Sequence, residues 1–130
     1  MKKKAILVLK SCGLGDFIMC IPALKALSEK YPDHLLVFCT YTTAHKSQKS
    51  NFAYVGKSGN NVPPWVELTQ PHIINDCISI DNVKNIYELI AARRYLSQYK
   101  FDFSFVMTET PRRMRSIFQK SLLAAWFSLK

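Results

Sequence analysis

The run Lys10-Ser11-Cys12-Gly13-Leu14-Gly15-Asp16 sets a cation, a hydroxyl, two glycines and a carboxylate within seven residues. Between a strand and a helix, such a turn offers free backbone N–H groups and the positive end of a helix dipole to an anionic oxygen. Asp16 has two uses there. It can cap the free N–H groups of the helix start, or take a proton from a hydroxyl bound beyond the strand end, and one side chain can do both. The turn matches neither nucleotide-loop motif. A dinucleotide fingerprint needs a third glycine where Ile18 stands, and a Walker loop needs Gly-Lys followed by Ser or Thr, which is absent.

These residues need a strand before them and a helix after them, and the pattern supplies both. Ala5-Ile6-Leu7-Val8-Leu9 is a continuous apolar run, as in a strand buried on both faces, and reads as the first, central strand of a parallel sheet. Residues 16–30 read as a helix with Phe17, Cys20, Ile21, Leu24 and Leu27 on one face. Pro22 is expected to kink it or loosen its first turn. Residues 34–40 form a second buried strand, which completes a right-handed βαβ unit.

Beyond it, residues 44–54 read as a poor helix and the rest up to Pro71 as loop. Residues 76–80 read as a third strand and 102–107 as a fourth. The helix at 83–98 turns Ile86, Leu89, Ile90 and Leu96 inward. The one at 112–129 has Met114, Ile117, Phe118, Leu122 and Trp126 apolar, and Arg112, Arg113, Arg115 and Lys120 basic. Trp126 and Phe127 are expected to pack on the sheet, and Arg93 and Arg94 to be solvated. The fold class is therefore α/β: one Rossmann-like domain over residues 1–130, an open parallel sheet with helices on both faces. Ligands of such sheets bind beyond the carboxyl ends of the strands, which points to residues 10–16.

With 130 residues, 48% hydrophobic and 21% charged, the chain has a globular domain's composition, not that of a disordered tail or a collagen-like fibre. Eighteen Lys and Arg against nine Asp and Glu give a net charge of +9, which favours phosphates, nucleic acid or anionic lipid as partners. A nucleic-acid-binding module ranks last, because no known motif interleaves aromatic with basic residues along the chain. Cys12, Cys20, Cys39 and Cys77 form no C-x-x-C pair and lack His at zinc-finger spacing, so neither a metal site nor a disulfide framework is expected. The apolar run after Lys2-Lys3-Lys4 is too short for an export signal, and none reaches the ~18 residues of a membrane span. A cytoplasmic protein is expected. His34, His45 and His72 show no partner pattern.

Three stretches together carry a family resemblance: the Lys10–Asp16 turn with its preceding strand, then Pro22-Ala23-Leu24-Lys25-Ala26-Leu27, then Tyr31-Pro32. This opening resembles that of the family 9 glycosyltransferases, the lipopolysaccharide heptosyltransferases. Tyr99-Lys100-Phe101-Asp102, leading into a strand and an Arg-bearing segment, is similar to the same family. The resemblance implies a GT-B enzyme with two Rossmann-like domains across a cleft, of which this chain is the first, acceptor-side one, apparently truncated before the nucleotide-sugar domain. It implies inverting transfer of heptose from ADP-heptose to a lipopolysaccharide core–lipid A acceptor, with no metal or other cofactor and no nucleic acid as partner. Peripheral contact with the inner face of the cytoplasmic membrane would accompany it.

Residue by residue, the family's catalytic base falls on Asp16 and its preceding glycine on Gly15. Lys10, Ser11, Gly13 and Gly15 take substrate-binding positions, and Arg112, Arg113 and Arg115 face the phosphorylated acceptor. The chain departs from the family's pattern in two places. Cys12-Gly13 stands where Ser-Ser is common, and no acidic residue ends the fourth strand. The alternative is a non-catalytic remnant that binds anionic glycolipid or a membrane surface.

Overall fold

An apolar run without polar alternation is satisfied only by cover on both sides. In the computed structural model, β1 (Lys3–Lys10) has that cover, and every residue from Ala5 to Lys10 is buried. The structure describes residues 1–10, 14–41, 54–55, 61–62, 73–80, 86–107 and 114–128. After β1 come α1 (Leu14–Lys30), β2 (Leu35–Tyr41), β3 (Tyr54–Val55), β4 (Asn61–Val62), β5 (Asp76–Ile80), α2 (Ile86–Leu96), β6 (Tyr99–Val106) and α3 (Met114–Ser128). Tyr54, expected at the end of a poor helix, is in a strand instead, paired with Val62 in a small antiparallel ribbon. The rest of 44–54, apart from Val55's neighbour Tyr54, lies outside the described residues.

The main sheet is parallel throughout, in the order β5-β2-β1-β6. The chain winds from β1 out to β5, then returns through α2 to β6 on the other side of β1. Crossovers of one hand that run in opposite directions lie on opposite faces. Accordingly α1 sets Phe17 and Leu24 against Ile6, Val8, Leu36 and Phe38 on one face. On the other, α2 and α3 place Ala92, Leu96, Ala124 and Phe127 against Ala5, Leu7, Leu9, Val37 and Cys39.

The α1 face matches the spacing in the sequence, and Phe17 meets Phe38 edge to face at 5.5 Å. The helix continues through Pro22. Pro22 and Ile18, whose carbonyl Pro22 cannot serve, are both on its exposed side. On α2 two of the four residues expected inward are turned out, while on α3 Trp126 and Phe127 pack on the sheet as expected. Ile86 and Ile90 are 62% and 52% exposed, while Ala92 and Leu96 are buried with Leu89 and Tyr95 packed beside them. On α3, Leu122 is exposed and Leu123, Ala124, Trp126 and Phe127 pack inward. Arg93, expected to be solvated, lies over the Trp126 ring at 4.9 Å and joins α2 to α3.

Two polar clusters fasten the amino end of the sheet. Asp76, 3% exposed, accepts the hydroxyls of Tyr95 and Tyr99 on one oxygen, each at 2.6 Å, and the Cys77 N–H on the other. Burial first, then the bond to Asp76, pushes the Tyr95 hydroxyl up to about 12 and the Tyr99 hydroxyl upward too. The second cluster is at a bulge. The β1–β6 register passes from Ala5↔Phe101 to Ile6↔Phe103, which leaves Asp102 as the extra residue. His34 Nε2 lies 3.0 Å from Asp102 Oδ2, and His34 Nδ1 is buried with no hydrogen-bond partner among the described residues.

The His34 bond, followed by the charge of Lys100, holds the Asp102 carboxyl below the usual range. A carboxyl depressed in the folded state adds stability above its ordinary pKa of about 3.9, and that stability is lost as pH falls through the lower folded value. Asp102→Asn should therefore lower the urea midpoint at pH 6, and the gap from wild type should close as pH is taken below about 4. A gap that stays constant with pH would contradict this.

Candidate functional site at the carboxyl end of the central strands

β1 ends at Lys10 and α1 begins at Leu14, two residues ahead of the expected start, so Asp16 is the third residue of the helix. Phe17 is fully buried against the sheet, and its neighbours Gly15 and Asp16 consequently face outward and are exposed. A carboxylate so placed lies beside the free N–H groups of the first turn and opens to solvent beyond the strand ends. It can meet a hydroxyl held within about 3 Å.

The neighbouring strand end belongs to β6. Leu9 pairs with Val106, and Met107 N–H donates to the Leu9 carbonyl at 3.0 Å. The helix after β1 lies on one face of the sheet and the helix after β6 on the other, so the strand ends diverge here as at a topological switch point.

Lys10 is 5% exposed, next to Thr40 of β2 in register. Arg115 is the second residue of α3, which follows the carboxyl end of β6. The fold thus brings Lys10, Gly15, Asp16 and the start of the arginine-bearing helix to one end of the sheet. Ser11, Gly13, Arg112 and Arg113 lie outside the described residues. Among the described residues, no group of three or more His, Cys, Asp or Glu is placed to hold a metal ion, and no helix is long and apolar enough to cross a membrane.

Two residues of this end were not singled out from the sequence. Ile18 and Met19, 50% and 80% exposed, form an apolar rim beside Asp16. The signal was there: neither position belongs to the inward 17/20/21/24/27 set. His34 and Asp102 were also missed, because their contact spans 68 residues.

Gly15 separates a ligand's requirement from the fold's. A Cβ built there meets nothing within 4 Å. Gly15→Ala should keep the fold and stabilise it by about 0.5–1 kcal/mol, as alanine does in a helix. If a ligand approaches this backbone closely, the same change should weaken its binding. Thermal unfolding and ligand titration of the one variant read both effects, and unchanged binding would place the ligand elsewhere.

Comparison with protein-family models, with curated proteins and with solved structures finds no match.

Proposed function

We propose that this chain is the acceptor-side domain of an inverting glycosyltransferase that resembles the lipopolysaccharide heptosyltransferases. The observation that carries the reading is the exposed Asp16 at the start of α1, beyond the carboxyl end of β1 where the helices diverge. In this reading the acceptor hydroxyl lies against Asp16. Its oxygen attacks the anomeric carbon of an ADP-sugar, and Asp16 takes the hydroxyl proton. The bond from that carbon to the diphosphate breaks, ADP leaves on the opposite face, and the configuration inverts. The GT-B arrangement, in which a second domain holds most of the nucleotide, is part of the proposal.

Lys10, Ser11 and Gly13 of the turn, with Arg112, Arg113 and Arg115, would meet the phosphates of an acidic core acceptor. The net charge of +9 supports an anionic partner. Ile18 and Met19 would rim the site toward the lipid-bearing part of the acceptor, on or near an anionic membrane surface.

The test is a titration of the isotope-labelled chain with a heptose-free, phosphorylated lipopolysaccharide core. Amide shifts should move at Gly15, Asp16, Ile18 and Met19. Shifts confined to the opposite end of the sheet would contradict the reading.

A further inference from the structure

The amino end of the sheet carries a second cluster, assembled from α1, β1, β6 and the turn before β2. Tyr31, just past α1, is 5.1 Å centroid to centroid from Phe103 of β6 and 5.8 Å from His34, and His34 is 6.0 Å from Phe103. Phe103 is 43% exposed and stands on an outer strand of the sheet, so one ring of this group opens to solvent. Lys30 Nζ sits 5.6 Å from the centre of the Tyr31 ring.

Lys4 and Lys100 are register partners on β1 and β6, both exposed, and Lys2 and Lys3 are exposed just before them. Like charges side by side in a sheet repel. The acids nearby are Asp102, whose carboxyl feels both Lys100 and Lys4, and the exposed Asp33. Asp102 has one oxygen on His34, and its side chain is 28% exposed.

We propose that this cluster binds single-stranded nucleic acid. A base stacks on Phe103, the phosphates on either side of it lie on Lys4, Lys100 and Lys30, and Asp102 accepts a hydrogen bond from the base's exocyclic amino group. These are the parts of a nucleotide: a ring face, an anion and a donor. A bilayer makes a poorer match, since the exposed ring is a single one at a sheet edge and a carboxylate stands among the cations. A free nucleotide lacks the several phosphates that a shallow, open platform needs for affinity. Along the chain the residues of the cluster fall in three separate stretches, at Lys4, at 30–34 and at 100–103. Only the fold brings these stretches onto one surface, so a sequence without a recognised motif did not display the cluster.

The test is fluorescence anisotropy of a labelled oligodeoxycytidylate about a dozen nucleotides long, a length within the usual single-strand site range. Oligodeoxythymidylate, the mononucleotide and phosphatidylglycerol vesicles serve as separate arms. Phe103→Leu should weaken oligonucleotide binding about tenfold with the salt dependence unchanged, and Phe103→Tyr, which keeps the ring, should not. Lys4→Gln with Lys100→Gln should lower the slope of log affinity against log salt by about 1.4, for two phosphate contacts. The cytidylate should bind more tightly than the thymidylate, and more tightly than the mononucleotide.

Affinity and slope that all these variants leave unchanged would overturn the proposal. So would vesicle binding that exceeds oligonucleotide binding and falls with the same variants. Should Phe103→Leu fail to fold, the Phe103→Tyr and lysine variants decide the matter by themselves.

Discussion

Replacing Tyr95 and Tyr99 together by Phe should cost this protein about 3–5 kcal/mol, from hydrogen bonds to a charged group worth about 1.5–3 kcal/mol each. Both hydroxyls donate to one oxygen of Asp76, which is nearly fully buried, and the double change leaves that carboxyl with the Cys77 N–H alone among the described residues. The loss is large because the group left behind is desolvated, and a typical domain has only about 5–15 kcal/mol in total. The single variants should sum imperfectly, since the bonds share an acceptor.

The pair also sets an alkaline limit. A hydroxyl raised in the folded state adds stability that is complete below its ordinary pKa of about 10 and is lost as pH rises through the folded value, about 12 for Tyr95. Urea midpoints of the wild type should therefore fall from about pH 10 upward, and those of the double variant should fall less. A double variant within 1 kcal/mol of wild type, with the same alkaline slope, would show that water replaces the hydroxyls at about no net cost.

On the proposed reading, Asp16→Asn, assayed with a nucleotide-sugar-binding domain added, should cut turnover by about 10²–10⁴-fold, the usual contribution of a general base, with little change in acceptor affinity. Asn keeps the size and the polarity but cannot take the hydroxyl proton. The split between kcat and KM decides the role. A first-turn carboxylate that only offsets the helix dipole would, on replacement by Asn, lose about 0.3–1 kcal/mol of stability and no turnover. Unchanged turnover would therefore reduce Asp16 to a charge at the helix start, while a rise in KM alone would make it a binding residue.

Much of the sheet was legible because its signal is burial on both faces. The five apolar residues at 5–9 are the middle of β1, and 76–80 is β5 to the residue. The α1 face was legible for a similar reason, as its inward residues are large and regularly spaced. Helices α2 and α3 were harder. Their inner faces use Ala92 and Ala124, too small to stand out, and Tyr95, whose hydroxyl is tied to Asp76.

Phe101, Phe103 and Phe105 alternate in a way that suggests one face of a strand. The bulge at Asp102 instead places Phe101 toward α2 and α3 and Phe105 toward α1. No local pattern announces such a bulge, whose extra residue meets His34, far away in sequence. At the candidate site, the location of Lys10, Gly15 and Asp16 was legible because a strand end and a helix start determine it. The apolar rim of Ile18 and Met19 was legible only as two positions outside the inward set, since their exposure depends on what the fold leaves uncovered.

The most direct measurement is transfer of heptose from ADP-heptose to a heptose-free lipopolysaccharide acceptor, by this chain alone and with a heptosyltransferase nucleotide-binding domain added. Glycosylated product is expected on addition of that domain, and the Asp16→Asn chain should then form far less. Full product with Asp16→Asn, or no product in either format despite a folded chain that binds the acceptor, would contradict the assignment of catalysis to this site.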